Sequence, residues 1–242
     1  FITLISFLIV LRISSTFSIL SNIITYYKNS ILKLNIISII IRVNMAKFIV
    51  FEGNDCSGKT TSIKLLSNYL SSIGKSHICI KFPDRNGIHG EKIDRYLKNE
   101  IELTNEEAYQ MFVENRITYE QIINDSLSNN VTVICDRYLY SEIVYSYYNE
   151  YGNIKLNSEY VDSLIKNENY MQIPDLVYLI NGYHLRNDNL ERYEQPKTIK
   201  HIFKLFKQLY KYINVNYKII DNNKSIEETK SQLINDYINL IL

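Results

Sequence analysis

Two glycines with four residues between them, Gly53 and Gly58, lie where an apolar run gives way to a helical pattern. Residues 53–60 read GNDCSGKT, so a lysine and a threonine follow the second glycine directly. Glycines let the backbone curl until successive N–H groups point inward, and a following helix N-terminus adds partial positive charge. Between a strand and a helix, this spacing is typical of a loop that binds the phosphates of ATP or GTP.

The motif of the phosphate loop indicates which of its residues contact the nucleotide. Lys59 can reach the β- and γ-phosphates, and the Thr60 hydroxyl can ligate Mg²⁺. We expect a nucleoside triphosphate with Mg²⁺ here. The loop residues predicted to bind it are Gly53, Ser57, Gly58, Lys59, Thr60 and Thr61.

The chain after Met45 alternates short β-rich runs with helical patterns. Runs of β-branched and aromatic residues cover 47–52, 77–82, 131–136, 175–180 and 217–221. Helical patterns cover 60–72, 105–128, 196–213 and 225–242. Thr104 and Glu107 fit a capping box before the second of these helices. Five apolar strands joined by helical crossovers predict a three-layer α/β fold with a five-stranded parallel sheet flanked by helices.

Composition narrows the functional classes. The chain has 242 residues, of which 46% are hydrophobic, so it can bury a sizeable core. A net charge of +1 gives no case for binding nucleic acid or an anionic membrane. The three cysteines have neither a disulfide framework nor zinc spacing, which indicates a reducing, cytoplasmic compartment. Cys79 and Cys135 lie in apolar runs and are predicted to be small core residues.

Residues 1–44 differ in composition from the rest of the chain. They contain no Asp, Glu, Gly or Pro and carry +4, which leaves −3 for residues 45–242. The chain begins with Phe1, and Met45 offers a natural start. Three interpretations stay open: translated upstream sequence, an organelle-targeting leader or a membrane anchor, although the longest uncharged apolar stretch, 1–11, is shorter than the ~20 residues of a spanning helix. We expect the functional domain to be 45–242.

Two motifs place cations after predicted strands. FPDR, 82–85, follows the second strand, where ligands bind in open α/β folds, and Arg85 can grip a second phosphate bidentately. DRY, 136–138, ends the third strand. Asp136 can orient Arg137 or the Mg²⁺ shell, and Arg137 can hold the charge of a transferring phosphate.

A third motif, FVENR at 112–116, falls on the long predicted helix. Phe112 and Arg116 are four residues apart and therefore share a helix face. An aromatic plane beside a guanidinium suits a base that is stacked on one face and hydrogen-bonded at its edge. This favours a nucleotide as the second substrate.

Taken together, the motifs FEGNDCSGKTT, FPDR, MFVENR, DRYLYS, PDLVYL, ERYE and DNNKSIEE resemble the thymidylate kinase family in order and spacing over 45–242. The resemblance implies transfer of the ATP γ-phosphate to dTMP, giving dTDP, with Mg²⁺, a short lid and a homodimer. Two alternatives stay open. One is a kinase for another nucleoside monophosphate, and the other is a catalytically impaired nucleotide-binding protein.

The same resemblance implies residue roles. Asp55 matches the residue at the sugar 3′-hydroxyl, Arg85 and Arg137 those at the monophosphate, Phe112 the ring on thymine, and Arg116 the arginine at its carbonyl edge. The implied dTMP-binding residues are Asp55, Phe82, Arg85, Phe112, Arg116, Arg137, Tyr145 and Tyr193. The two side chains implied to contact the base, Phe112 and Arg116, do not discriminate strongly for the methyl group of thymine, so dUMP should also be accepted.

Further roles fall in the second half of the chain. Residues 184–194 match the lid, with Arg186 and Arg192 in it, and residues 222–226, with Lys224 and Ser225, match the loop beside adenine. The implied catalytic residues are Lys59, Arg137, Arg186 and Arg192, and the implied metal ligands are Thr60 and Asp136.

Three positions depart from the family pattern. Cys56 stands where many relatives carry a basic residue, so we expect Arg186 or Arg192 to supply the missing charge. Cys56 itself is interpreted either as a reactive thiol or as an inert filler. Glu142 replaces a small residue, and we expect it to face solvent because a carboxylate near the monophosphate would repel it. Asn54 should be tolerated because its position works through the backbone.

Overall fold

Five parallel strands form one sheet in the part of the chain that the computed structural model describes, residues 45–152, 155–167, 171–182 and 191–242. The strands are β1 (Phe48–Gly53), β2 (His77–Lys81), β3 (Thr132–Asp136), β4 (Leu176–Asn181) and β5 (Tyr217–Asp221). Their order across the sheet is β2-β3-β1-β4-β5, and each neighbouring pair is parallel. The predicted parallel sheet is confirmed, and residues 1–44 lie outside the described ranges.

Both faces of the central strand are buried. Along β1, Phe48 and Val50 enter the core on one face, and Ile49 and Phe51 enter it on the other. All four side chains are fully buried. A parallel strand covered by helices on both faces has this continuous apolar character. The sequence of β1 therefore predicted a strand buried on both faces.

Eight helices surround the sheet within the described residues. They are α1 (Lys59–Ser72), α2 (Gly90–Leu97), α3 (Asn105–Ile117), α4 (Glu120–Ser128), α5 (Leu139–Tyr151), α6 (Ser158–Asn167), α7 (Pro196–Tyr212) and α8 (Ile226–Ile241). Leu66 of α1 and Leu233 of α8 pack on the face of β1 that carries Ile49. Ile143 of α5 and Phe206 of α7 pack on the opposite face. The three-layer α/β arrangement is confirmed.

The single helix predicted over 105–128 is wrong, because the structure has two helices there, α3 and α4. The chain turns at Tyr119, whose N–H donates to Arg116 O at 3.0 Å, three residues back instead of four. The Tyr119 hydroxyl donates to the Asp84 carboxylate at 2.8 Å and so joins the turn to the loop after β2. Helices α2, α5 and α6 are additions to the elements that the sequence predicted.

The start of α3 is fixed by the predicted capping box. Thr104 Oγ1 accepts from Glu107 N–H at 3.2 Å, and Thr104 N–H donates to Glu107 Oε2 at 2.8 Å. Two N–H groups at the helix start thereby gain acceptors. The box sets where α3 begins and therefore where Phe112 and Arg116 point.

The helices that the structure describes are short, with 17 residues or fewer. The longest described helix, α7, has 17 residues, fewer than the ~20 apolar residues of a membrane span. Its buried residues recur at helical spacing, at Ile199, Ile202, Leu205, Phe206 and Leu209. None of the helices in the described ranges has the length and apolar character needed to cross a bilayer.

The cysteines differ in burial. Cys135 in β3 is buried, as predicted, whereas Cys79 is exposed, so its prediction as a core residue is wrong. Cys79 lies on β2, an edge strand with a neighbouring strand on one side only. None of the three cysteines forms a disulfide.

A buried carboxylate on β1, Glu52, holds the start of α5. Its Oε1 accepts from the backbone N–H groups of Tyr138 at 2.9 Å and Ser141 at 3.0 Å, and its Oε2 accepts from the Ser141 hydroxyl. Burial raises the pKa of Glu52 from 4.5 to about 7, although the Ser141 hydrogen bond and the Arg137 charge act in the opposite direction. No role for Glu52 was predicted, although a glutamate at the end of an apolar run was an available signal.

The raised pKa of Glu52 predicts a stability that depends on pH. The folded protein keeps this proton up to about pH 7, and the unfolded chain loses it near pH 4.5. The contribution of this proton to the free energy of unfolding is therefore complete below pH 4.5 and is lost as the pH rises through 7. From pH 5 to pH 8 the loss is about 2–3 kcal/mol of unfolding free energy, at ~1.4 kcal/mol per pKa unit. Glu52→Gln should abolish this component in urea unfolding at the two pH values.

A matched control is available on α5. Glu150 is exposed, and Glu150→Gln should keep the wild-type dependence of unfolding free energy on pH. If Glu52→Gln also kept that dependence, the folded protein would hold Glu52 ionised across the range, contrary to this account.

Candidate active site

Backbone conformation and close neighbours both require the glycines of the phosphate loop. Gly53 has φ +137° and Gly58 has φ +95°, conformations that residues with a side chain rarely adopt. A Cβ atom would lie 2.7 Å from Ile180 O at the first position and 2.0 Å from Asn222 Nδ2 at the second. Asn222 Nδ2 donates to Ser57 O at 2.6 Å, which fastens the loop after β5 to the phosphate loop.

The N-terminus of α1 is open to an anion. Gly58 is the N-cap, no side chain caps the helix, and no acidic residue lies in its first turn. The N–H groups and the helix dipole at such an end favour negative charge. Thr60 and Thr61 are exposed at this turn, and Ser57 is buried beneath it.

Inside the loop, backbone carbonyls hold Lys59. Its Nζ donates to Gly53 O at 3.1 Å and to Asn54 O at 2.5 Å. Burial, and then the charge of Arg137, lower the pKa of Lys59 to about 8. The lysine therefore stays protonated at neutral pH.

Two loop positions depart from the family pattern. Asn54 is buried, and its carbonyl accepts from Lys59, so it contributes through its backbone. Cys56 is partly buried and has φ +56°. Its predicted alternatives, a reactive thiol or a filler, stay predictions.

Asp136 at the end of β3 places a buried carboxylate beside the loop. It is 6% exposed, and its Oδ1 has no hydrogen-bond partner among the residues that the structure describes. Its charge acts on Lys59. Thr60 adds an exposed hydroxyl. Mg²⁺ takes oxygen ligands and keeps several waters, so a carboxylate and a hydroxyl fit it.

Arg137 joins the phosphate loop to the neighbouring helix. Its Nη1 donates to Gly53 O at 2.8 Å and to Ser141 Oγ at 3.1 Å, and its Nη2 donates to Asp55 Oδ1 at 2.6 Å. Its φ of +68° is uncommon outside glycine and lies at the turn from β3 into α5. Burial raises the pKa of Asp55, but the charges of Arg137 and Lys59 outweigh it and lower the pKa to about 2.

A cavity opens next to the phosphate loop, at the carboxyl ends of β1, β2 and β3. The structure brings all eight residues predicted for dTMP to its wall: Asp55, Phe82, Arg85, Phe112, Arg116, Arg137, Tyr145 and Tyr193. Glu142 and Glu191 also line it, and neither was predicted there. Ligands of open α/β sheets bind at this edge, so the cavity is the candidate acceptor site.

Arg85 carries a carboxylate partner on each side. Its Nη1 and Nη2 donate to the two oxygens of Glu191 at 2.7 and 2.6 Å, and Nη1 also donates to Asp94 Oδ1 at 2.9 Å. The hydrogen bonds from Arg85 to Glu191 raise the pKa of the arginine. The guanidinium thus presents the two-point geometry that also suits a phosphate.

Asn115 fastens the loop of Arg85 to α3. Its Oδ1 accepts from Asp84 N–H at 2.8 Å, and its Nδ2 donates to Asp84 O at 2.9 Å. The side chain is buried. Asn115 lies within the motif FVENR, but no role was predicted for it, although an amide inside that motif was an available signal.

Arg116 of α3 and Glu142 of α5 form a buried ion pair in the cavity. Arg116 Nη1 donates to Glu142 Oε2, and each side chain is only 4% exposed. The prediction that Glu142 faces solvent is therefore wrong. Helix α5 packs against α3, which places Glu142 on an inner face, and the Arg116 charge offsets the repulsion expected between this carboxylate and a phosphate.

Aromatic rings complete the wall of the cavity. Phe112 on α3 lies against Tyr96, with ring centroids 6.2 Å apart. Tyr145 on α5 meets Tyr193 edge to face, with centroids 4.7 Å apart. The Tyr193 hydroxyl accepts from Asn149 Nδ2 at 2.8 Å, which fixes its ring at the end of the lid.

Most of the predicted lid, 184–194, lies outside the described residues, including Arg186. Its described end docks on α2 and on the loop that follows. Arg192 Nε donates to Tyr96 O at 3.1 Å, its Nη2 donates to Glu102 Oε1 at 3.0 Å, and its guanidinium carbon lies 4.2 Å from the Tyr96 ring centroid. The Arg192 guanidinium therefore lies against α2.

The loop predicted to flank adenine connects β5 to α8. Lys224 is exposed there. Ser225 caps α8, with its Oγ accepting from Glu228 N–H at 3.2 Å and its own N–H donating to Glu228 Oε2 at 3.0 Å. Asn222 lies within the predicted loop 222–226, but its hydrogen bond to Ser57 O in the phosphate loop was not predicted.

Comparison with known proteins identifies a family. A family model described as thymidylate kinase matches residues 51–233. A thymidylate kinase of Plasmodium falciparum is 33% identical over 200 residues, which cover 78% of this chain and 89% of that protein. A thymidylate kinase of Schizosaccharomyces pombe is 31% identical over 199 residues, which cover 79% and 91%.

Solved structures agree with the sequence comparison. The thymidylate kinase of Candida albicans superposes with a TM-score of 0.66 at 27% identity, covering 82% of this chain and 94% of that chain. That of Ehrlichia chaffeensis gives a TM-score of 0.60 at 24% identity over 80% and 98%, and supports the fold alone. Because the family model spans more than half of the sequence and the motifs converge on one site, the chain belongs to the thymidylate kinase family.

Proposed function

We propose that this chain transfers the γ-phosphate of ATP to dTMP, giving dTDP for the synthesis of dTTP. The observation that carries the proposal is the cavity beside the phosphate loop, which the eight residues assigned to dTMP line. Two of them, Asp55 and Arg137, also belong to or contact the phosphate loop. Donor and acceptor sites that share residues bring the two phosphates into line.

The chemistry needs cations more than it needs a base. The attacking group is a phosphate oxygen, which is already anionic at neutral pH. Phosphoryl transfer then depends on positioning and on neutralising charge. Lys59, Arg85 and Arg137 supply positive charge from this chain.

We assign Mg²⁺ to the Thr60 hydroxyl and the Asp136 carboxylate. The buried Asp136 Oδ1, which has no hydrogen-bond partner in the described ranges, supports this assignment. When bound, the ion would neutralise charge on the triphosphate oxygens. The role of the chain is to position these two ligands, with Asp136 at the end of β3 and Thr60 at the start of α1.

Arg85 is assigned to the acceptor phosphate. Its two-point pair with Glu191 has the geometry that a phosphate reproduces. We infer that the monophosphate exchanges with the Glu191 carboxylate on entry.

The base and sugar are assigned to the inner end of the cavity. Phe112 stacks on thymine, Arg116 donates to its carbonyl edge, Asp55 accepts from the sugar 3′-hydroxyl, and Tyr145 lies beneath the sugar. Their shared cavity supports these roles. A pocket for one methyl group discriminates only about 10–200-fold, so dUMP is expected to be a poorer but real substrate.

We also propose a homodimer that works in a reducing, cytoplasmic compartment. The family resemblance supports the dimer. Three cysteines that form no disulfide support the compartment, because oxidising compartments favour disulfides.

A panel of acceptors tests the proposed reaction. ADP release by the purified protein with Mg²⁺-ATP is measured with dTMP, dUMP, dGMP, UMP and thymidine. Turnover should be highest with dTMP, lower with dUMP and absent with thymidine, which has no phosphate for Arg85. A preference for another monophosphate would contradict the assignment of the base site. Binding of both nucleotides without ADP release would contradict the kinase itself.

The lid carries a second prediction, because Cys56 supplies no positive charge. We propose that Arg186 acts at the transferring phosphate, a choice supported by the contacts of Arg192 with Tyr96 and Glu102. Arg186→Ala should lower kcat by about 10³–10⁵-fold, the range for an arginine at a transferring phosphoryl group. Arg192→Ala should lower kcat less than the Arg186 change does.

A compensating variant sharpens this test. Cys56→Arg, made in the Arg186→Ala background, puts a cation back into the phosphate loop and should restore part of kcat. Full turnover in Arg186→Ala, or a larger loss in Arg192→Ala, would refute the assignment. A separate titration of dTMP binding to each variant distinguishes a lower catalytic rate from a lower affinity for dTMP.

A further inference from the structure

The ion pair between Arg116 and Glu142 lies in the wall that receives the base. Arg116 projects from α3 one turn after Phe112, the ring assigned to stack on thymine. Glu142 projects from α5 and meets the guanidinium through Oε2. Because Oε2 holds Nη1, the guanidinium and the carboxylate form one rigid, buried polar edge.

The second oxygen of Glu142 lacks a partner. Its Oε1 is buried and accepts no hydrogen bond from any residue in the described ranges. The side chain is 4% exposed and lines the cavity. A buried carboxylate oxygen without a donor is costly, and it becomes favourable when a ligand supplies the donor.

The pair therefore presents a donor beside an acceptor. An arginine has five N–H donors in a planar fork, and Arg116 lines the cavity while its Nη1 donates to Glu142. Thymine and uracil carry a carbonyl at C4 beside an N–H at N3, which is the complementary order. Cytosine and adenine carry an amino group beside an unprotonated ring nitrogen, which is the reverse order. Guanine has the same order as thymine, so this edge alone does not distinguish those two.

We propose that Glu142 reads the base directly, with Oε1 accepting the N3–H of dTMP while Arg116 donates to the neighbouring carbonyl. The inference deepens the proposed function and rests on its assignment of the cavity to dTMP. It makes Glu142 a specificity residue that selects bases with a carbonyl beside an N–H. It also explains why a carboxylate is tolerated in a site for an anionic substrate: one oxygen neutralises Arg116 and the other binds the base.

Glu142→Gln inverts the proposed reading with little change of size. Arg116 is a donor, so it orients the new amide with its oxygen toward the guanidinium. The amide NH₂ then occupies the place of Oε1 and meets the N3–H of dTMP donor to donor. The same NH₂ suits the unprotonated N3 of dCMP. The ratio of kcat/KM for dTMP over dCMP should fall at least about 10-fold, since a site built to hydrogen-bond a group penalises its loss strongly.

A second acceptor separates direct reading from positioning of Arg116. N3-methyl-dTMP keeps the C4 carbonyl and lacks the N–H. In the wild type, kcat/KM for dTMP should exceed that for the methylated analogue by about 10²-fold or more. In Glu142→Gln this ratio should shrink at least about 10-fold. If Glu142 only positioned Arg116, the substitution would lower kcat/KM equally for both acceptors, and their ratio would not change.

The matched control is Glu150→Gln, at an exposed position of the same helix, which should keep both ratios at wild-type values. Unchanged ratios in a folded Glu142→Gln would overturn the inference while leaving the kinase activity in place. A wild-type protein that phosphorylates none of the pyrimidine monophosphates would instead overturn the proposed function itself. The two failures are therefore distinguishable.

Discussion

The hydrogen bonds of Arg137 connect the two halves of the site, and the remaining geometry depends on them. One guanidinium binds Gly53 O in the phosphate loop, Asp55 at the loop's tip and Ser141 on α5. Glu52 fixes the same turn from inside the core by accepting from Ser141. Donor loop, acceptor cavity and α5 are thus held in register by a few buried polar contacts, where small displacements would misalign the phosphates.

The cavity keeps its cations balanced by carboxylates. Each arginine assigned to dTMP has an acidic partner: Asp55 for Arg137, Glu191 for Arg85 and Glu142 for Arg116. Pairing lowers the cost of holding three guanidinium groups close together and fixes their orientation before the substrate arrives. The pairs differ in exposure. The Glu191 pair is partly exposed and suited to exchange with a phosphate, whereas the Glu142 pair is buried and suited to reading a base.

Local pattern predicted the sheet and part of its helical cover, and the family resemblance implied the eight residues that line the cavity. Strands such as β1 are apolar on both faces, and the loop glycines are required by backbone geometry, so both leave strong traces in sequence. The misses depend on tertiary contacts. Tyr119, in the turn after α3, donates to Asp84, and Glu142 is buried because α5 packs on α3. Neither contact is visible from residues near it in the chain.

The central claim is that one cavity binds dTMP against the phosphate loop. A crystal structure of the complex with dTMP and a non-hydrolysable ATP analogue tests it most directly. We expect the monophosphate on Arg85 in place of Glu191, thymine over Phe112, and N3 within hydrogen-bonding distance of Glu142. A complex with dTMP bound outside this cavity, or with Arg85 still paired to Glu191 beside a bound dTMP, would contradict it.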